Sequence, residues 1–247
     1  MQTIPLARLA LALAPVLVVL VILQRWRLQP GNTVYGLFRM LVQLLLIGYV
    51  LVYLFEAQSP WPILAVLLLM VTASSWIALR SQQLPVRQLL PKAMLAIGGG
   101  GGIVLVTVVF GVLNLEPWFQ PRYMIPLAGM IFANAMNSVS FAGERFGAEL
   151  SRGESYEVAR STALRAALIP ITNSLFAVGL VSLPGMMTGQ ILSGVSPMIA
   201  ARYQIMVMCM IYAAAGISAA LYLKWMNPVS NKSNASNKSD FGKSASA

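Results

Sequence analysis

Seven stretches of the chain, at 6–23, 37–55, 62–79, 94–113, 123–141, 166–183 and 204–223, are dominated by Leu, Val, Ile, Ala and Met and nearly free of charge. Each approaches the roughly 20 residues that a helix rising about 1.5 Å per residue needs to cross about 30 Å of hydrocarbon. None alternates apolar and polar side chains as the strand of a membrane barrel does. Backbone N–H and C=O groups find no partners in hydrocarbon, so each run must satisfy its own hydrogen bonds as a helix. The expected fold is all-α, a polytopic membrane protein of about seven transmembrane helices.

Composition agrees with the pattern, since 58% of the 247 residues are hydrophobic and 10% charged, well beyond the apolar share of a globular domain. The net charge of +10 would suggest nucleic acid as the partner of a soluble protein. Here the charges lie between the apolar runs, so the bilayer is the expected partner and nucleic acid is not. Fourteen of the 17 Lys and Arg fall on alternate connections and the C-terminal segment: Arg25, Arg27, Arg39, Arg80, Arg87, Lys92, Arg145, Arg152, Arg160, Arg165, Lys224, Lys232, Lys238 and Lys243. Arg8, Arg122 and Arg202 fall on the other side. Cytoplasmic loops collect Lys and Arg, which predicts the N-terminus outside and the C-terminus inside. Arg25 and Arg27 directly follow the first run with no small-residue cleavage pattern, so that run reads as a retained span and not as a signal peptide.

Pro60, Trp61 and Pro62, and then Glu116, Pro117, Trp118 and Pro121, combine helix breakers with interfacial aromatics and mark short outer turns. Five consecutive glycines, Gly98–Gly102, have two readings: close approach of a neighbouring helix, or a hinge. Residues 1–226 form the expected membrane domain; 227–247 are Ser, Asn and Lys repeats that cannot build a core and are expected to be disordered. The sequons headed by Asn231, Asn234 and Asn237 would lie inside and are read as accidental.

Residues 143–165 are expected to form the longest inner connection. They carry Arg145, Arg152, Arg160 and Arg165 with Glu144, Glu149, Glu154 and Glu157. Spacings of three and four residues allow short helices with paired charges, and the segment is either a solvated loop or a docking surface for a soluble partner. Within the runs the polar groups are amides and hydroxyls: Asn134, Asn137, Ser138 and Ser140 in the fifth, Asn173, Ser174 and Ser182 in the sixth. Such groups at membrane depth face protein or water. No Asp, Glu, Lys or Arg lies deep in a run, which disfavours a proton-coupled carrier. The absence of histidine and the single cysteine, Cys209, disfavour imidazole catalysis, a disulfide framework and the common metal sites. No catalytic residues are assigned, and the chain is not expected to be an enzyme.

Three stretches resemble a known family. They are Ile125-Pro126-Leu127-Ala128-Gly129-Met130 with Asn134-Ala135-Met136; Arg165-Ala166-Ala167-Leu168-Ile169-Pro170 leading to the segment from Val178 through Leu183-Pro184-Gly185-Met186-Met187-Thr188-Gly189; and Ala201-Arg202-Tyr203-Gln204-Ile205. The chain resembles, over roughly residues 6–225, the FetB-like family of ABC transporter permeases, associated with iron export in bacteria and aluminium tolerance in plants. The resemblance implies a permease subunit in the bacterial inner membrane, present as a homodimer and driven by a separate ATPase that carries the ATP and Mg. The sequence has no G-x-x-x-x-G-K-[ST] loop of its own to cradle phosphates, and no cofactor is expected on this chain.

Ala148-Glu149-Leu150-Ser151-Arg152-Gly153 is similar to a shortened E-A-A-x-x-x-G docking loop, which makes Glu149, Leu150, Arg152, Gly153 and Glu157 the expected ATPase contacts. Asn134, Met136, Asn137, Asn173, Ser182, Met186 and Met187 are the expected lining of the path, and Pro170, Pro184 and Gly185 the expected hinge. The methionines are either flexible packing or weak thioether ligands, and no metal ligand set is assigned. Iron favours carboxylate, imidazole or thiolate ligands, so a metal, a metal chelate and another solute all stay open as substrate, as does the alternative of a carrier or channel working without an ATPase.

Overall fold

The structure, a computed structural model, describes residues 5, 8, 11–28, 30–56, 59–80, 82 and 85–226. It divides into two units, 1–56 and 57–247. The segment expected to be disordered, 227–247, lies outside the described residues.

The first unit holds α1, Ala14–Arg25, and α2, Gly31–Phe55. Pro15 sits in the first turn of α1, where a missing N–H costs nothing, and Arg25 in the last turn lies near the free carbonyls of the helix end. At 12 residues α1 is shorter than the 6–23 run, and 6, 7, 9 and 10 are outside the described residues. α2 extends the second run toward its N-terminus and has one buried residue, Leu54, in its 25; its other apolar side chains are available to lipid.

The second unit contains α3, Pro60–Ala78; α4, Val86–Val106, which continues as a π-helical segment, Thr107–Val112; α5, Pro121–Ser151; α6, Tyr156–Ala177; α7, Gly185–Leu192; and α8, Pro197–Trp225. The fold is all-α: among the described residues there is no strand, only one isolated bridge between Val178 and Ser182. Proline opens α3, α5 and α8, which is why the expected outer turns end where they do.

α5 is the central helix and packs against α3, α4, α6 and α8, while α8 also meets α4, α6 and α7. The contact layer is built from small side chains, with Ala135, Ala142, Ala159, Ala163, Ala167, Ala214, Ala215 and Ala219 all buried. In lipid, where apolar surface gains little by leaving hydrocarbon, such residues let helices approach closely enough for dispersion to hold them. Of the two readings of the glycine run, close approach is the one observed. α4 is helical throughout the run; a β-carbon on Gly100 would lie 2.5 Å from Ser218 Oγ on α8, and one on Gly101 would lie 2.9 Å from Ile131 and Phe132 on α5.

Among the described residues five helices are long and apolar enough to cross a membrane, namely α2, α3, α4 with its π extension, α5 and α8. Beyond the shorter α1, the structure departs from the sequence-based expectation in two places. The 166–183 run is not one continuous helix: α6 begins ten residues earlier, at Tyr156, and stops at Ala177. The backbone then turns through Gly179, whose φ of +83° suits glycine, and restarts as α7 at Gly185. Pro184, at the N-cap of α7, separates the two helices, and neither it nor Gly185 kinks a span. The 143–165 segment is likewise mostly helix, formed by the end of α5 and the beginning of α6 around a short turn.

Candidate functional site

Met130, Asn134 and Asn137 are spaced four and three residues apart, which places them on one stripe of α5. Opposite stands α6 with Pro170 in its interior. Proline cannot donate to the carbonyl one turn back, and the neighbouring hydroxyls bond to the helix around it. Ser174 Oγ donates to Pro170 O at 3.0 Å, and Ser138 Oγ donates across the interface to Ala167 O at 3.5 Å. Asn134 Nδ2 donates to Met130 O on its own helix at 2.9 Å. Between the helices lies a concavity of about 100 Å³ that includes Asn134, Asn137, Ser138, Pro170 and Ser174 in its wall.

A second, larger concavity of about 320 Å³ adjoins it, with Ser174 common to both. Its wall comes from four elements: Met130 of α5, Ser174 of α6 with Ser182 of the turn beyond it, Gly185 and Met186 of α7, and Gln204 and Met208 of α8. The chain leaves helix between Ala177 and Gly185, and residues on both sides of that break line the space together with α8. Gln204 is 6% exposed, and its side-chain oxygen has no hydrogen-bond partner. No charged residue lines either concavity.

The residues expected along a path therefore divide. Asn134, Asn137 and Pro170 line the smaller space; Ser182, Pro184, Gly185 and Met186 line the larger. Met136, Asn173 and Met187 line neither, and Asn173 is exposed. Met130, Gln204 and Met208 join the lining without having been expected there, and Ser174, one of the polar groups noted in the sixth run, lines both spaces. A lone glutamine inside an otherwise apolar helix was the available signal for Gln204, but its position at the start of the 204–223 run made it look like a boundary.

At the far end of α5 the charged residues form a hairpin. Gly153, with φ +87°, closes α5, and Ser155 caps α6 by accepting from Val158 N at 3.4 Å, with Glu157 in the first turn where negative charge suits the helix dipole. Glu149 is buried and accepts from both arginines around it, Arg145 at 2.5 Å and Arg152 at 3.3 Å. The remaining expected contacts, Leu150, Arg152, Gly153 and Glu157, are exposed.

The hairpin is fastened to the bundle. Tyr156 OH donates to Leu223 O of α8 at 3.1 Å, its ring meets Phe146 edge-on at 5.9 Å, and Arg160 lies 5.4 Å from the ring centre. On the neighbouring residue of α8, Tyr222 OH donates to Gln82 Oε1 at 2.6 Å, and the end of the Gln82 side chain lies against Gly143, where a β-carbon would displace it. The end of α5, the start of α6 and the end of α8 are thus joined through Tyr156.

Long apolar helices around an uncharged polar seam define a helical polytopic membrane protein. The chain belongs to UPF0014, described as an uncharacterised protein family, which matches residues 6–228. It is 33% identical over 217 residues to a UPF0014 membrane protein of Synechocystis sp., covering 80% of this chain and 84% of that one. It is 34% identical over 235 residues to the "Probable iron export permease protein FetB" of Escherichia coli, covering 88% and 89% of the two chains. To "Protein ALUMINUM SENSITIVE 3" of Arabidopsis thaliana it is 35% identical over 215 residues, 79% and 76% of the two. No solved structure matches the chain.

Proposed function

We propose that the chain is the membrane-spanning permease subunit of an ABC transporter that exports iron, another metal or a metal chelate. A separate ATPase, carrying the ATP and Mg, drives it by docking on the hairpin of α5 and α6. The observation that carries this reading is the hairpin itself. α5 has 31 residues, about 46 Å of helix against about 30 Å of hydrocarbon, so its charged end extends beyond the apolar layer while its middle carries the polar seam. Force applied at Arg152 and Glu157 has a rigid route to Asn134 and Pro170. The similarity to a relative named as an iron export permease supports the substrate class.

The same reading places the hairpin and the C-terminus on the cytoplasmic side of a bacterial inner membrane, with two copies of the permease side by side. A carrier or channel working alone is less well supported, because neither concavity has the ionisable lining that a proton relay uses.

The test is co-purification with a cognate ABC ATPase and the ATPase rate in the reconstituted complex. Arg152→Glu combined with Glu157→Lys should abolish capture or coupling while the chain stays monodisperse, since both side chains are exposed. Unchanged capture and coupling would refute docking here. Substrate transport into inverted vesicles that depends on ATP and the ATPase is the expected outcome of the second measurement; transport by this chain alone without nucleotide would favour the carrier.

A further inference from the structure

Three elements each contribute one methionine to the wall of the larger concavity: Met130 from α5, Met186 from α7 and Met208 from α8. Gln204 lies one turn before Met208 on the same face of α8. Its carbonyl oxygen is buried with no partner, and a polar atom held this way in a membrane protein costs free energy unless something else fills its need.

We propose that this concavity is a binding site for a soft monovalent cation of the copper(I) or silver(I) type, held by the sulfurs of Met130, Met186 and Met208 and the Gln204 carbonyl. For its place in transport this rests on the permease reading above. Thioethers select soft ions, while hard ions require carboxylate or other oxygen ligands. No carboxylate lines the site, and among the described residues no three His, Cys, Asp or Glu stand together anywhere. The cost of bringing an ion into low dielectric grows with the square of its charge, so a bare trivalent ion would cost about nine times as much as a monovalent one of equal size. Neutral sulfur ligands can offset the smaller cost only. They also release their ion readily, as a transport site must.

The probe is Ag⁺, titrated calorimetrically in chloride-free buffer into the full chain in detergent, in a Cys209→Ser background that removes the exposed thiol. One Ag⁺ site per chain is expected, undisturbed by an excess of Mg²⁺ or Mn²⁺. Groups that merely hold a metal ligand in place are worth about tenfold or more in affinity, so Met186→Leu with Met208→Leu should weaken binding by at least that much. These swaps keep side-chain volume. Gln204→Leu gives the sharper test, because it should also weaken Ag⁺ binding while raising the thermal midpoint of the unliganded protein through loss of the orphaned oxygen. Ag⁺ binding that is absent, indifferent to these substitutions or displaced by Mg²⁺ would overturn the proposal. The measurement needs no ATPase, so its failure leaves hairpin docking intact, and loss of ATPase capture in the hairpin variants leaves Ag⁺ binding unchanged.

Discussion

Glycine 100 shows how much one atom can matter where helices meet without a hydrophobic drive. Its missing side chain admits Ser218 of α8, so Gly100→Ala should push the two helices apart and cost about 1–3 kcal/mol, in line with other overpacked interiors. Gly99 and Gly102 face open space, and alanine there should be tolerated or mildly stabilising through its helix propensity. Thermal stability followed by size-exclusion chromatography in detergent would separate the two cases; equal losses at positions 99 and 100 would contradict the packing role. Glu149 makes a different point. Its carboxylate is engaged by Arg145 and Arg152, so its charge serves the end of α5 more than an approaching partner. Glu149→Gln should lower stability by about 1 kcal/mol, a modest figure because both arginines are accessible to screening water, and a chain as stable as the parent would show the ion pairs to be idle.

At the scale of the element, the instructive case is the broken run. Hydropathy treats residues 166–183 as one apolar stretch because hydropathy does not register backbone direction. Gly179 and Pro184 were visible, but spacing alone did not show that together they bring a stop at Ala177 and a restart at Gly185. Gly179→Ala should destabilise by about 1–2 kcal/mol, since a β-carbon is poorly accommodated at positive φ. The hairpin provides a second test. Tyr156→Phe keeps the ring against Phe146 and removes only the hydrogen bond to Leu223 O. A loss of about 0.5–1.5 kcal/mol is expected, seen as faster amide exchange at the start of α6, and unchanged exchange would show that the bond does not fasten the hairpin.

For the whole molecule, orientation is the property with the widest consequences. Fourteen of the 17 basic residues lie on the side assigned as inside, and a fluorescent protein fused after Ala247, active only in the cytoplasm, should fluoresce; a dark but expressed fusion would reverse the assignment. The hairpin would then be external and unable to meet a cytoplasmic ATPase.

Helical membrane class and most apolar helices could be read in advance because they follow from local rules: hydrocarbon forbids unpaired backbone groups, and about 20 apolar residues are needed to cross it. The positions of Asn134, Asn137 and Pro170 were legible for the same reason, as polar or helix-breaking residues where neither is expected. What a residue faces is not local. Whether Glu149 pointed outward or inward, whether the glycines bent a helix or seated one, and whether Gln204 marked a boundary or lined a recess were all decided by neighbours distant in sequence. Hydropathy and spacing thus determined which segments form helices in lipid; only the packing of α5, α6, α7 and α8 decided which polar atoms meet, because burial and hydrogen bonding are properties of pairs.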